Sequence, residues 1–229
     1  MEFTKLQRER AVDGVYKELR NAIVSYRLKP GERLNVDELA KLLGVSLTPV
    51  RGAIQQLATE GLVEVKPRSG TFVANLTPED VEETFQIRCA LECLACEEAV
   101  GKIDDDGLRR LRELVKSLKR PVRSEEDRRT HELDNSELHQ TIVRAAGNRR
   151  LVEMYEALNA HIKIARVHAA ENDWPVRMRE EQVEHEAIVQ ALEARDAARL
   201  RNAMRKHLYR AKDALVAALR ARGEQAQES

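Results

Sequence analysis

Leu39-Ala40-Lys41-Leu42-Leu43-Gly44-Val45-Ser46-Leu47-Thr48-Pro49-Val50-Arg51 is the stretch whose reading decides the fold of the first third of the chain. A short helix is expected from about Val36 to Leu43, with Leu39, Leu42 and Leu43 on its buried side. It stops at Gly44, because glycine takes the positive φ that redirects a chain with the least strain. Ser46 is placed to cap a second helix, and Pro49 falls in that helix's first turn, where a missing N–H costs nothing. Ala53, Ile54 and Leu57 give the second helix an inward stripe, and Gly61 closes it. Two helices joined by so tight a turn form a helix-turn-helix.

Upstream, Val12, Val15, Tyr16, Leu19, Ile23 and Tyr26 recur at three- and four-residue steps, so an amphipathic helix leads to Leu28-Lys29-Pro30-Gly31. Downstream, Leu62–Val65 and Thr71–Ala74 are β-type runs around the turn-rich Lys66–Gly70 and read as a hairpin. Helix, helix, turn, helix, hairpin is the order of a winged helix-turn-helix. After a linker at Leu76–Pro78 the pattern is helical. Breaks near Gly101–Asp104, Pro121–Ser124, Gly147-Asn148, Asp173–Pro175 and Arg195-Asp196 divide it into about six helices. The expected fold is mainly α: a winged helix-turn-helix over residues 1–76 and an all-α antiparallel helical bundle over 77–229.

Composition agrees with a small domain followed by a larger one. The 229 residues suffice for two cores. No run of eighteen apolar residues occurs, and Met1–Lys5 lacks the apolar core of a signal peptide, so a cytoplasmic protein without a membrane span is expected. Cys89, Cys93 and Cys96 are odd in number and lie on one helical face, which favours small core residues over a disulfide or a cysteine metal site. The net charge is zero, yet residues 1–75 hold 12 Lys and Arg against 9 Asp and Glu. The basic excess therefore lies in the segment that would meet DNA.

In a helix-turn-helix the second helix enters the major groove with its N-terminal residues towards the base edges. Ser46 and Thr48 can bond phosphate there, and Arg51, one turn in, can fork onto a guanine edge. The hairpin adds Lys66 and Arg68, with Gly70 permitting close approach of backbone to DNA.

The histidines of the bundle suggest a second site. His185 and His207 lie about ten and eleven residues either side of the Arg195-Asp196 turn, so they return to one level on adjacent antiparallel helices. Asn135 and His139 share one face of an earlier helix. Three imidazoles and an oxygen donor suit a divalent metal such as zinc or nickel, although a neutral amide is a poorer ligand than the carboxylate of neighbouring Asp134. Arg166 offers either a fork for an effector carboxylate or an interhelical salt bridge. Arg88 and Glu92, one turn apart, are expected to make an i,i+4 or interdomain ion pair.

The runs Leu28–Leu34, Leu39–Ser46, Thr48–Arg51 and Glu60–Val63, with Gly70, closely resemble the N-terminal domain of the GntR family of bacterial regulators. That resemblance implies operator binding as a homodimer, most often as a repressor, with Thr48 and Arg51 on the recognition helix and Gly70 near DNA. Two positions depart from the family pattern: Leu47 stands where arginine is usual, and Gly52 where glutamate is usual. The strings Arg88-x-x-Leu91-Glu92, Ala145–Asn148, Glu184-His185-x-x-Ile188 and His207-Leu208 resemble the FCD ligand-binding domain of the FadR branch, over most of residues 79–215. Six helices make the bundle more similar to the VanR-like subgroup. The resemblance implies a small-molecule effector, and many FCD domains have aspartate where Asn135 stands.

Two other classes compete. A non-haem metalloenzyme would also use histidines and an oxygen ligand, but no Glu-x-x-His pair recurs on two helices as di-iron bundles require. A ligand-independent DNA-binding protein would leave the large bundle without a purpose. The expectation is a regulator and not an enzyme.

Overall fold

The computed structural model describes residues 8–25, 27–75, 77–168 and 174–227, with side chains for these except 8–10, 125, 160–161, 163–168, 174–177 and 222–227. Tyr26 and Leu76 therefore lie outside the described residues. Two compact units divide the chain, with a boundary between Thr77 and Pro78.

The first unit runs α1 (Arg8–Val24), β1 (Arg33–Leu34), α2 (Val36–Leu43), α3 (Leu47–Thr59), β2 (Val63–Lys66) and β3 (Gly70–Val73). Asn35 caps α2 by accepting from the backbone N–H groups of Asp37 and Glu38, and those two carboxylates complement the positive end of the helix dipole. Gly44 closes α2 at φ 65°, with its N–H turned back to the carbonyls of Ala40 and Lys41. The buried stripe of α3 holds Val50, Ala53, Ile54 and Leu57, meeting Val15, Leu19 and Ile23 of α1 in the unit's core. Burial of each such aliphatic side chain contributes about 1.5–3 kcal/mol.

Leu42 departs from expectation. It is 76% exposed, while Ala40 is buried and Val36, Leu39 and Leu43 are half-buried. Residue 42 stands about 200° around the helix from residue 40, so both cannot face the core. The wing also differs at its ends. The strands run one residue later and earlier than the apolar runs suggested, although Ala74 N–H still bonds Leu62 O at 3.0 Å. A third strand, β1, completes an antiparallel sheet of order β1-β3-β2, in which Arg33 pairs with Phe72, Leu34 with Thr71, and Lys66 with Gly70. Two residues are too few to leave a periodic signal.

The second unit contains α4 (Pro78–Lys102), α5 (Asp105–Leu118), α6 (Glu125–Ala145), α7 (Arg149–His168), of which residues up to Ile162 belong here, α8 (Trp174–Glu193) and α9 (Ala197–Gln227). Six helices among the described residues agree with the expected number. Mainly α with a small winged sheet is therefore the fold class. Helix α4 packs along α9 and α6, α8 along α9, and α5 between α6 and α8. The ends are set by local chemistry. Ser124 and Asp127 form a capping box on α6, and Asp104 caps α5 through the Gly107 N–H. Arg195, itself at φ 56°, donates to the carbonyls of Val100 and Ile103 at the end of α4. Of the cysteines only Cys96 is fully buried; Cys89 and Cys93 are half-buried with their sulfurs 3.8 Å apart. Burial pushes the Cys93 thiol up to about 11, with the neighbouring Cys89 adding to the shift.

Candidate metal centre and nucleic-acid interface

Three helices each place one imidazole at the centre of the bundle: His139 from α6, His185 from α8 and His207 from α9. All three are essentially inaccessible to solvent, and their ligating nitrogens lie within 4.8 Å of one another. The His185 and His207 ring centroids are 4.6 Å apart, so the two histidines flanking the Arg195 turn do meet. His139 and His207 are separated by 5.0 Å, and His139 and His185 by 6.0 Å.

Carboxylates fix two of these rings. His139 Nδ1 lies 2.5 Å from Glu92 Oε2, and His207 Nδ1 lies 2.9 Å from Glu184 Oε2. A carboxylate only accepts, so each Nδ1 carries the proton and each Nε2 presents a lone pair. The two Nε2 atoms face each other at 3.2 Å. Two lone pairs at that distance repel unless a cation stands between them, either a proton or a metal. Two nitrogens bound at about 2.0–2.1 Å to one tetrahedral zinc are about 3.3 Å apart. The donor set fits a divalent ion, and the carboxylate–imidazole pairs behind it are the arrangement by which metal-ligating histidines are oriented and made more basic.

The carboxylates are themselves held. Arg88 Nε donates to Glu92 Oε1 at 2.5 Å, and Arg210 Nε bonds both oxygens of Glu184 at 2.8–2.9 Å. Burial acts to raise the Glu92 carboxyl, but the Arg88 guanidinium and His139 together outweigh it and hold the group down to about 2. A further buried pair, His131 Nε2 and Glu181 Oε2 at 3.3 Å, lies on the same faces of α6 and α8. Asn135 is buried one turn before His139, whereas Asp134 is half-exposed. The side chains of His161, Arg166 and His168 lie outside the described residues.

Sequence reasoning identified the imidazoles and missed their supports. Arg88 and Glu92 do form the i,i+4 ion pair, but Glu92 also reaches a histidine 47 residues away, which no local pattern discloses. Glu184 precedes His185, so it points about 100° away on α8 and meets the neighbouring helix instead.

In the first unit, Ser46 occupies the N-cap position of α3 but makes no side-chain cap bond, and its hydroxyl is exposed. Thr48 and Arg51 are exposed on the same end of the helix. Lys66 is engaged within the wing, 3.0 Å from Glu64 and over the Phe72 ring at 5.5 Å from its centroid. Arg68 is exposed at φ 64° and Gly70 stands at φ 122°. Gly52 has a local reason. A Cβ there would stand 3.3 Å from a Val12 methyl of α1, so that side chain would have to give by a few tenths of an ångström.

A winged helix-turn-helix joined to a helical bundle with a buried three-histidine centre defines a class of DNA-binding regulators. Residues 11–73 match the gntR family of bacterial regulatory proteins, and residues 83–210 match the FCD domain. The chain belongs to the GntR family, in its FadR-type architecture with an FCD domain. It is similar to the HTH-type transcriptional regulator YdhC of Bacillus subtilis, with 33% identity over 66% of this chain and 68% of the relative. It is also similar to a probable D-xylose utilization operon transcriptional repressor of Paenarthrobacter nicotinovorans, with 32% identity over 81% of this chain and 80% of the relative. Among solved structures, E. coli McbR/YncC has a TM-score of 0.72 at 25% identity, over 90% of this chain and 96% of that one. The protein is a DNA-binding transcriptional regulator. No described helix is long and apolar enough to cross a membrane.

Proposed function

We propose that the protein is a cytoplasmic, homodimeric repressor. Residues 1–76 read operator DNA, and residues 77–229 pair the protomers and bind a small carboxylate effector at a metal-containing centre. The single observation that carries the effector half is the opposed Nε2 pair of His139 and His207 at 3.2 Å, with His185 beside it. His139, His185 and His207 would hold one divalent ion, zinc or nickel by the preference of imidazole, with Asn135 as the oxygen ligand. A divalent cation there supplies positive charge and coordination positions open to a carboxylate. Arg166 is a further candidate for the effector.

On the DNA side, Arg51 and Thr48 would meet base edges and phosphate from α3, Ser46 the phosphate at its N-terminus, and Lys66, Arg68 and Gly70 the backbone at the wing. A homodimer is proposed because one short recognition helix spans too few base pairs for useful specificity, and twofold pairing doubles the site.

The test combines metal analysis with thermal shift. The full-length chain and its His139→Ala, His185→Ala and His207→Ala variants are assayed for bound metal, then melted with small carboxylic acids with and without zinc. A ligand that prefers the native state raises the midpoint. The expected result is loss of metal and of the carboxylate response in the variants, with DNA binding retained. Full metal content in all three would end the proposal.

A further inference from the structure

Sequence motifs left Arg33 without a role, and the structure gives it a defined place. It lies on β1, paired with Phe72 of β3, on the outer face of the wing sheet. Its guanidinium lies against Gly70. A Cβ built on that glycine would stand 3.1 Å from Arg33 Nε, 3.5 Å from Nη2 and 3.7 Å from Cζ. The space that the missing side chain leaves is thus filled by a cation.

Several other charged groups of the first unit have partners of their own. Lys66 is 3.0 Å from Glu64, Arg27 is 2.9 Å from Glu18, and the Glu32 carboxylate accepts from the Lys29 N–H at 2.8 Å. Among the described residues no carboxylate bridges Arg33, which is exposed. An oriented, solvent-facing guanidinium without a counter-ion at the wing is a ready acceptor site for an anion of fixed position, and a fork of N–H donors matches phosphate.

We infer that Arg33 is a phosphate-contacting residue of the DNA interface, carried to the wing by β1 and seated over Gly70. This rests on the reading that the wing faces DNA. The contact is to backbone, so it adds affinity on every sequence and makes binding more sensitive to salt.

The experiment measures binding of the full-length chain to a 30-bp random-sequence duplex and to duplexes that the wild type selects from a random library, over a range of KCl concentrations. Arg33→Gln and Arg33→Lys are compared with Arg51→Ala and Arg68→Ala. Arg33→Gln should flatten the slope of log Kobs against log salt by about 0.9 per bound protomer on both DNAs. Arg33→Lys should keep the slope, because the charge remains. A role limited to covering Gly70 would move the thermal midpoint and leave the slope unchanged. An unaltered slope in a folded Arg33→Gln protein overturns the inference. If Arg68→Ala still flattens the slope in that case, the wing faces DNA without Arg33. If Arg51→Ala and Arg68→Ala also bind both DNAs as wild type does, the docking itself is wrong.

Discussion

Substituting Glu184 by glutamine tests the carboxylates behind the histidines more cleanly than substituting a histidine does. Glu184 Oε2 accepts a hydrogen bond from His207 Nδ1–H at 2.9 Å, and Arg210 holds both of its oxygens. The amide keeps an oxygen acceptor, so the ring stays oriented in part, but the charge that makes the imidazole more basic is gone. Loss of such a partner costs about 10–100-fold in metal affinity, or about 1.4–2.7 kcal/mol. The expectation for Glu184→Gln lies near the middle of that range. Arg210 is one-fifth exposed and retains Glu181 at 3.7 Å and Glu180 at 3.9 Å, so the fold should survive. Glu92→Gln is the harsher counterpart: Arg88 is only 2% exposed, and an unpaired buried charge costs about 3–5 kcal/mol. The assay is competition for zinc between the metal-free protein and a chelator of known affinity, with circular dichroism as the check on folding. A Glu184→Gln protein that is folded and binds zinc within twofold of wild type would refute the argument.

Three further outcomes are expected. Arg51→Ala should relax preference at one base pair of DNA selected by the wild type, by about 1–3 kcal/mol, whereas Arg68→Ala should weaken binding on all sequences; titrations on selected and random duplexes separate the two. Tyr16 should ionise above the ordinary tyrosine range in an absorbance titration, because burial and then its hydrogen bond to Glu60 push it up to about 12. A raised pKa favours the protonated folded state, so its contribution to stability is complete below about pH 10 and is lost towards pH 12, and Tyr16→Phe should remove that part of the decline. Arg195→Ala should lower stability by about 1 kcal/mol in denaturant melts, because it leaves the carbonyls of Val100 and Ile103 without their donor.

What could be read from the sequence was whatever depends on a fixed local period. The helix breaks at Gly147 and Arg195 and the inward stripe of α3 follow from a few neighbouring residues. The meeting of His185 with His207 follows from equal distances along two helices about a turn, because the rise per residue is constant. Leu42 failed because three leucines in five residues leave the inward face of a two-turn helix ambiguous, and the choice fell to Ala40 only through packing on α3. Strand β1 is defined by its partner β3 rather than by its own two residues. Glu92 and Glu184 took their roles from helices far away in sequence, and Arg33 from a glycine on another strand. Tertiary pairing of this kind has no period to detect.

Charge at the bundle centre bears on which ligand could complete it. Among the described residues Glu92 is paired by Arg88, Glu184 by Arg210, and Glu181 by Arg210 and by His131. Buried charge is tolerated when it is paired and costly when it is not. A proton shared by the opposed His139 and His207 nitrogens would relieve their repulsion. A divalent ion would relieve it too and would bring one more positive charge than the proton does. That extra charge favours an anionic ligand on an open coordination position, so under the proposed reading metal content and carboxylate binding should rise and fall together.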